Sequence, residues 1–366
     1  MTRREEIRTT MIRRTRLIPL VFALALAACT SSSDQTQEDH TAQFHVENAQ
    51  RLYDGNHYRR ALQQFDKALA LDAENQPALL GRAWCLLFLA EQRARNGDRQ
   101  ADDTLAEAEL AFNGLSELDF GANQFKIELG LGKVHVIYGD LFAARASMLE
   151  NRSKDRTASE SQDLAWHTTI KERDTEYNKA RGYFKAVLAR KDNRDARNNL
   201  TALIHLARIA VIQRDYAEAL VHAERYLGQV EKSKNLWVQS SVRFPRDKGI
   251  WEAKLAGAVT KEIEVRDLIA DILYKLGRLE LAEKELTQLI FLSPERTDSY
   301  LNRGIVRDEL GQKREALGDY KSFMLRAARL DMDAGDPRVL KSTERIIELE
   351  KELGIPSSIL KGEANR

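Results

Sequence analysis

The sequence is short of cysteine, proline and glycine: two, six and nineteen in 366 residues. Two cysteines exclude a disulfide framework. So few prolines and glycines speak against a protein of strands and tight turns and favour long helices. Basic charge is also missing in net terms, since the formal charge is only +1. Six arginines and two glutamates lie in residues 1–28; taking these from 57 and 56 leaves 51 basic against 54 acidic side chains, a balance of −3. That balance excludes a nucleic-acid footprint. Charged residues at 31% and a mean hydropathy of −0.48 exclude a bundle of bilayer spans. No constellation for catalysis is visible. The seven histidines form no His-Glu-x-x-His pair and no Cys/His metal spacing, and serine clusters only near the amino terminus. No cofactor, metal or small-molecule substrate is expected, and the chain does not read as an enzyme.

What is present begins with "MTRREEIRTTMIRRTR", a basic stretch, followed by "LIPLVFALALAA" at 17–28, twelve apolar residues. Twelve are too few for a bilayer core, which takes about 20 helical residues, so residues 1–28 read as a signal peptide. A start at Met11 would leave a tidier one, with three arginines and no acid. The seam Leu26-Ala27-Ala28-Cys29 resembles the bacterial lipobox, which implies cleavage before Cys29 and acylation of its thiol. Several acyl chains anchor stably where one is reversible. Thr30 stands where an Asp would resemble an inner-membrane retention signal, so the expected location is the outer membrane, facing the periplasm. Residues 29–41, with "TSSSDQTQEDH" at 30–40, are polar and read as a flexible tether.

The remainder repeats. "IADILYKLGRLELAEKELTQLIFLSP" (269–294) is followed by "YLNRGIVRDELGQKREALGDYKSF" (300–323), and Gly277/Gly311, Ala282/Ala316, Leu286/Tyr320 and Leu289/Phe323 are each 34 residues apart. This resembles the tetratricopeptide repeat: a small residue in helix A (Ala270, Gly304), a turn glycine, then alanine and aromatic positions in helix B. Small residues let antiparallel helices approach closely, and one hairpin cannot bury its apolar face alone, so hairpins stack. Weaker copies begin near 49, 83, 131 and 206, the third of them using Gly139 as a turn glycine and Ala144 in helix B. "YNKARGYFKAVL" (177–188) reads as a helix B without an evident partner. Helix-B alanines at 61, 108, 144, 180, 219, 282 and 316 mark about six repeats, irregular in the middle.

The expected architecture is thus all-α: a helical-hairpin array over 42–330 with insertions near 151–162 and 232–254, then an amphipathic capping helix over 336–355. The first insertion is polar and reads as a loop; the second carries Trp237, Phe244 and Trp251 around Pro245. Asp336 and Pro337 suit the start of the cap. Cys85, among "AWCLLFLA", reads as a small buried hydrophobe, and Gly130 as a helix-packing glycine.

The resemblance implies a groove lined by helix-A residues that receives a peptide or helix from a partner. Its register points to Ile204, His205 and Arg208, then Asp267, Asp271 and Tyr274, then Leu301, Asn302, Ile305 and Asp308. Two aspartates there would repel a carboxy-terminal carboxylate and suit a partly basic, partly apolar segment. The functional expectation is a lipid-anchored scaffold that recruits envelope proteins; the alternative is a pilotin-like chaperone for one outer-membrane subunit of a secretion or pilus machine.

Overall fold

The computed structural model describes residues 41–118, 120–154, 160–190 and 196–356. The signal segment, Cys29 and the tether up to His40 lie outside these residues, as do positions 155–159 of the expected loop. Among the described residues there are thirteen α-helices and no strand. They pair in chain order: α1 (Ala42–Asp54) with α2 (Tyr58–Leu71), α3 (Gln76–Arg95) with α4 (Ala101–Ser116), and α5 (Gln124–Lys154) with α6 (Glu160–Ala189). Then come α7 (Ala196–Ile212) with α8 (Tyr216–Arg243), α9 (Lys248–Lys275) with α10 (Leu279–Leu292), α11 (Thr297–Glu309) with α12 (Lys313–Arg329), and a final helix, α13 (Pro337–Glu352). Among the described residues the chain is all-α, six helical hairpins in sequence order followed by a thirteenth helix. Two compact units divide within α6, at residues 180 and 181.

In the first unit, Phe65 and the alanines Ala61 and Ala68 of α2 pack with Val46 and Ala49 of α1 and Ala78 and Cys85 of α3. Burial pushes the Cys85 thiol up to about 12, so it packs as an apolar group and supplies no thiolate at neutral pH. Close approach is set by glycine. A Cβ on Gly81 would lie 2.2 Å from the Phe65 ring, and one on Gly130 would lie 2.4 Å from Phe112.

One expected hairpin is absent. Residues 131–148 do not turn at Gly139; α5 runs straight through it, and Ala144 and Met148 are exposed rather than packed as helix-B positions. Gly139 is small because the Tyr177 ring lies on it. The partner of "YNKARGYFKAVL" is therefore α5: Tyr177 donates a 2.7 Å hydrogen bond to Asp140, and His135 Nδ1 lies 2.6 Å from Glu176 Oε2. With Ala144 removed, six helix-B alanines remain, one for each hairpin.

The expected insertions are largely helical. Residues 151–154 continue α5 and 160–162 open α6. The stretch 232–254 lengthens α8 and α9 to 28 residues each, with one short 3₁₀ turn at Pro245–Asp247 between them. The wide spacing between Ala219 and Ala282 comes from longer helices, since α10 and α11 have only 14 and 13 residues.

In the second unit, Ala219, Ala223 and Tyr226 of α8 share a core with Leu203 and Ala207 of α7, Ile272 of α9 and Leu286 of α10. The turns into α10 and α12 carry Gly277 and Gly311 at φ of 70° and 76°, the left-handed region that an L side chain disfavours. Each turn is closed by a bond from the next amide back to the helix, Arg278 to Leu273 and Gln312 to Arg307, both 2.9 Å. At the end, the Asp336 side chain accepts from the Arg338 amide and Pro337 opens α13. Ile346 and Leu349 of α13 cover Ala316, Leu317 and Tyr320 of α12.

Candidate functional site

The second unit carries two adjoining cavities on the side of its A helices. The helical repeat brings positions three, four and seven apart onto one face, so α9 presents Asp267, Asp271 and Tyr274 together. On α11 the same rule groups Leu301, Asn302, Ile305 and Asp308. Between α9 and α11 lies a cavity of about 140 Å³ lined by Asp271, Tyr274, Lys275, Asn302, Ile305 and Val306, with Ala270 and Leu286 beneath. A second, of about 370 Å³, lies among α11, α12 and α13 and is lined by Leu301, Ile305, Tyr320, Lys341, Ser342 and Arg345. Ile305 lines both.

Three of the residues expected from sequence converge here: Asp271, Tyr274 and Asn302. Asp271 is exposed and makes no ion pair among the described residues. Asn302 is exposed beside it. The Tyr274 hydroxyl donates to Glu309, which raises the phenol's pKa, and the Lys275 ammonium lies 5.8 Å from the centre of the Tyr274 ring.

The other four have different surroundings. Asp267 is half-buried and engaged by Arg296 at 2.8 Å; burial pushes its carboxyl up despite that cation, and Asp298 and Asp271 add to the rise. Asp308 is held by two bonds from Arg345 of α13, at 2.5 and 2.7 Å. The Asp308 and Glu348 carboxylates in turn hold the Arg345 guanidinium above its ordinary range. These two aspartates are structural partners rather than open acceptors. His205 stacks on Phe184 of α6, with ring centres 5.0 Å apart and planes 5° from parallel, and Arg208 is exposed on α7. Neither lines the cavities.

Sequence reasoning missed α13 as a wall of the site. Arg338, Lys341 and Arg345 stand at i, i+3 and i+7 and all line the larger cavity, a spacing visible in "DPRVLKSTER". Lys341 makes no ion pair among the described residues, and the buried Ser342 hydroxyl has no hydrogen-bond partner among them. The site thus runs from an open carboxylate on α9, over the aliphatic Ile305 and Leu301, to an open ammonium on α13. The expected grouping of two aspartates with Arg208 is not what lines the cleft: Asp271 lies there with Lys275, and the cations at its far end come from α13. No group of three or more His, Cys, Asp or Glu side chains among the described residues is placed to hold a metal ion.

Residues 46–93 match the family model of the tetratricopeptide repeat. That stretch spans most of α1, all of α2 and most of α3. Solved structures similar to the chain include the apo form of RapI, at 11% identity over 74% of this chain and 72% of that one, with a TM-score of 0.42. A tetratricopeptide repeat protein from Parabacteroides merdae is 14% identical over 84% of this chain and 98% of its own, with a TM-score of 0.30. The TPR2AB domain of yeast Sti1 in complex with pHSP90 is 13% identical over 83% and 98%, with a TM-score of 0.26. No curated protein matches the sequence.

Within residues 46–93, Tyr53, Tyr58, Trp84 and Phe88 pack against one another. Tyr58 of α2 stacks on Phe88 of α3 at 4.7 Å, and Tyr53 of α1 meets both rings edge-on. The Lys133 ammonium of α5 lies 4.6 Å from the centre of the Phe88 ring.

Proposed function

We propose that the chain is a non-catalytic protein-interaction scaffold of the bacterial envelope, tethered to the outer membrane by an acylated Cys29. It takes a segment of a partner protein across the two cavities of α9, α11 and α13. The observation that carries the reading is the convergence of Asp271, Tyr274 and Asn302 on a cleft whose aliphatic floor continues to Lys341. A segment with a basic residue, two or three apolar side chains and an acidic residue would match it in order. Each apolar contact contributes by area, and the two charges set direction more than affinity.

The anchor rests on the seam around Cys29. Cys29→Ser should release the protein from membranes, and retention of the variant there would overturn it. Crosslinking in cells followed by mass spectrometry tests the scaffold: several partners in the steady state support it. A single partner, present only while an outer-membrane machine is being built, would instead make the protein a pilotin-like chaperone.

A further inference from the structure

The hairpin formed by α8 and α9 is about twice as long as α10 or α11, and the excess has a chemistry of its own. Along α8 the last fully buried side chain is Val230, and along α9 the first is Ala258. The thirteen residues of α8 beyond Val230 reach about 20 Å as helix. The base of this arm is pinned: Lys234 Nζ lies 2.6 Å from Glu262 Oε2, Arg266 Nη2 lies 2.8 Å from Glu231 Oε1, and Trp237 packs against the core. The tip is not covered. Every residue from 242 to 250 is exposed, and Val242, Phe244 and Ile250 are 78%, 47% and 56% accessible.

Large apolar side chains gathered on a projecting turn mark a contact surface. Their charge surroundings say of what kind. Residues 232–254 hold six basic and two acidic side chains, in a protein whose remainder beyond residue 28 is otherwise acidic. Cations also lie near the aromatic rings of the arm, Arg243 at 5.5 Å from Phe244 and Lys254 at 4.5 Å from Trp251. Aromatic and aliphatic side chains interleaved with Lys and Arg fit the boundary between lipid headgroups and acyl chains. A second copy of the tip would bring two like-charged arms together, which charge repulsion opposes. Among the described residues no helix is long and apolar enough to cross a membrane, so the contact would lie at the surface.

We propose that the tip of the α8–α9 arm docks on the surface of an anionic lipid bilayer. Val242, Phe244 and Ile250 enter the headgroup boundary, and Arg243, Arg246 and Lys248 meet lipid phosphates. The arm thereby makes a second, weaker membrane contact, independent of any acyl chain on Cys29.

The test uses the full chain carrying Cys29→Ser and Gly249→Cys, labelled at 249 with an environment-sensitive fluorophore. A side chain at 249 meets nothing within 4 Å, and Cys85 is buried. Vesicles of phosphatidylethanolamine with phosphatidylglycerol should shift the emission to the blue, and spin-labelled lipid should quench it. Vesicles of phosphatidylcholine should bind the tip at least about tenfold more weakly, as a cationic surface contact requires. Adding Val242→Ser, Phe244→Ser and Ile250→Ser should abolish the shift with helical content unchanged, because none of the three belongs to the buried core. Emission unmoved by anionic vesicles would overturn the proposal. So would a shift that survives the serine substitutions, or one that appears without lipid as protein concentration rises, which would mean that tips pair with one another.

Discussion

The ring of Tyr177 rests on the backbone of Gly139: a Cβ at that glycine would lie 2.5 Å from the ring, whose hydroxyl is fixed to Asp140 at 2.7 Å. Tyr177 is fully buried and has little room to give. Gly139→Ala should therefore destabilise the first unit by about 1–2 kcal/mol, the overpacking cost exceeding the gain in helix propensity. Gly182, exposed on α6 with nothing within 4 Å of an added Cβ, is the control: Gly182→Ala should stabilise by up to about 1 kcal/mol. Urea unfolding of both variants decides. A neutral Gly139→Ala would mean that the ring moves aside and that close packing does not select this glycine.

Arg214 occupies the turn between α7 and α8 at φ 60°, the same left-handed conformation that Gly277 and Gly311 adopt in the turns into α10 and α12. Its amide and the next bond back to Val211 and Ala210 at 3.0 and 2.8 Å, so the turn is held despite the unfavourable residue. A left-handed L residue costs roughly 1–2 kcal/mol, partly offset by the greater chain entropy that glycine loses on folding. Arg214→Gly should raise the midpoint of thermal unfolding, by about 0.5–1 kcal/mol in stability, while Gly277→Arg lowers it. A lower midpoint for Arg214→Gly would show that the arginine makes a contact worth more than its strain.

Glu262 is buried, yet it is ionised. Burial alone would raise its carboxyl, but Lys234 at 2.6 Å and Arg266 at 2.9 Å outweigh that and hold it below the ordinary range. A carboxylate lowered in the folded state contributes stability above its unfolded value, about 4.3, and loses that contribution as pH falls through the folded value. Glu262→Gln should thus cost about 1–3 kcal/mol at pH 7. The difference from the parent should shrink steadily below about pH 4. Unfolding midpoints measured across that range check the sign; a difference constant down to acid pH would mean that the pair contributes through shape alone.

Much of the fold was legible because helices and their packing leave short-range marks. The 34-residue offset between Gly277 and Gly311 announced two hairpins, and Asp336-Pro337 announced the start of α13. What misled was glycine, which serves two physical ends with one letter. At 277 and 311 it supplies a left-handed turn; at 139 it makes room for a ring from a helix 38 residues later, and no local pattern separates the two. The stretch 232–254 reads as an insertion because Ala219 and Ala282 lie 63 residues apart where hairpins repeat every 34, although the spacing of Leu255, Val259, Ile263 and Leu268 already marks α9 as a long helix. In the site, Asp271, Tyr274 and Asn302 came from the register of the tetratricopeptide repeat that the sequence resembles. The occupation of Asp267 by Arg296 and of Asp308 by Arg345 did not, because ion pairs between helices depend on packing that spacing alone cannot specify.

The most direct test of the central claim places a photocrosslinking amino acid at Asn302, in the cleft, and separately at Lys284, exposed on α10 outside it. Irradiation in cells should yield discrete adducts from position 302 and none from 284. Asp271→Lys should reduce the adducts at 302 at least about tenfold, the loss expected when an opposite charge becomes a like one. Helical content and unfolding midpoint should stay unchanged, since Asp271 has no ion-pair partner to lose among the described residues. Equal adducts from the two positions, or adducts at 302 that persist in Asp271→Lys, would contradict the account.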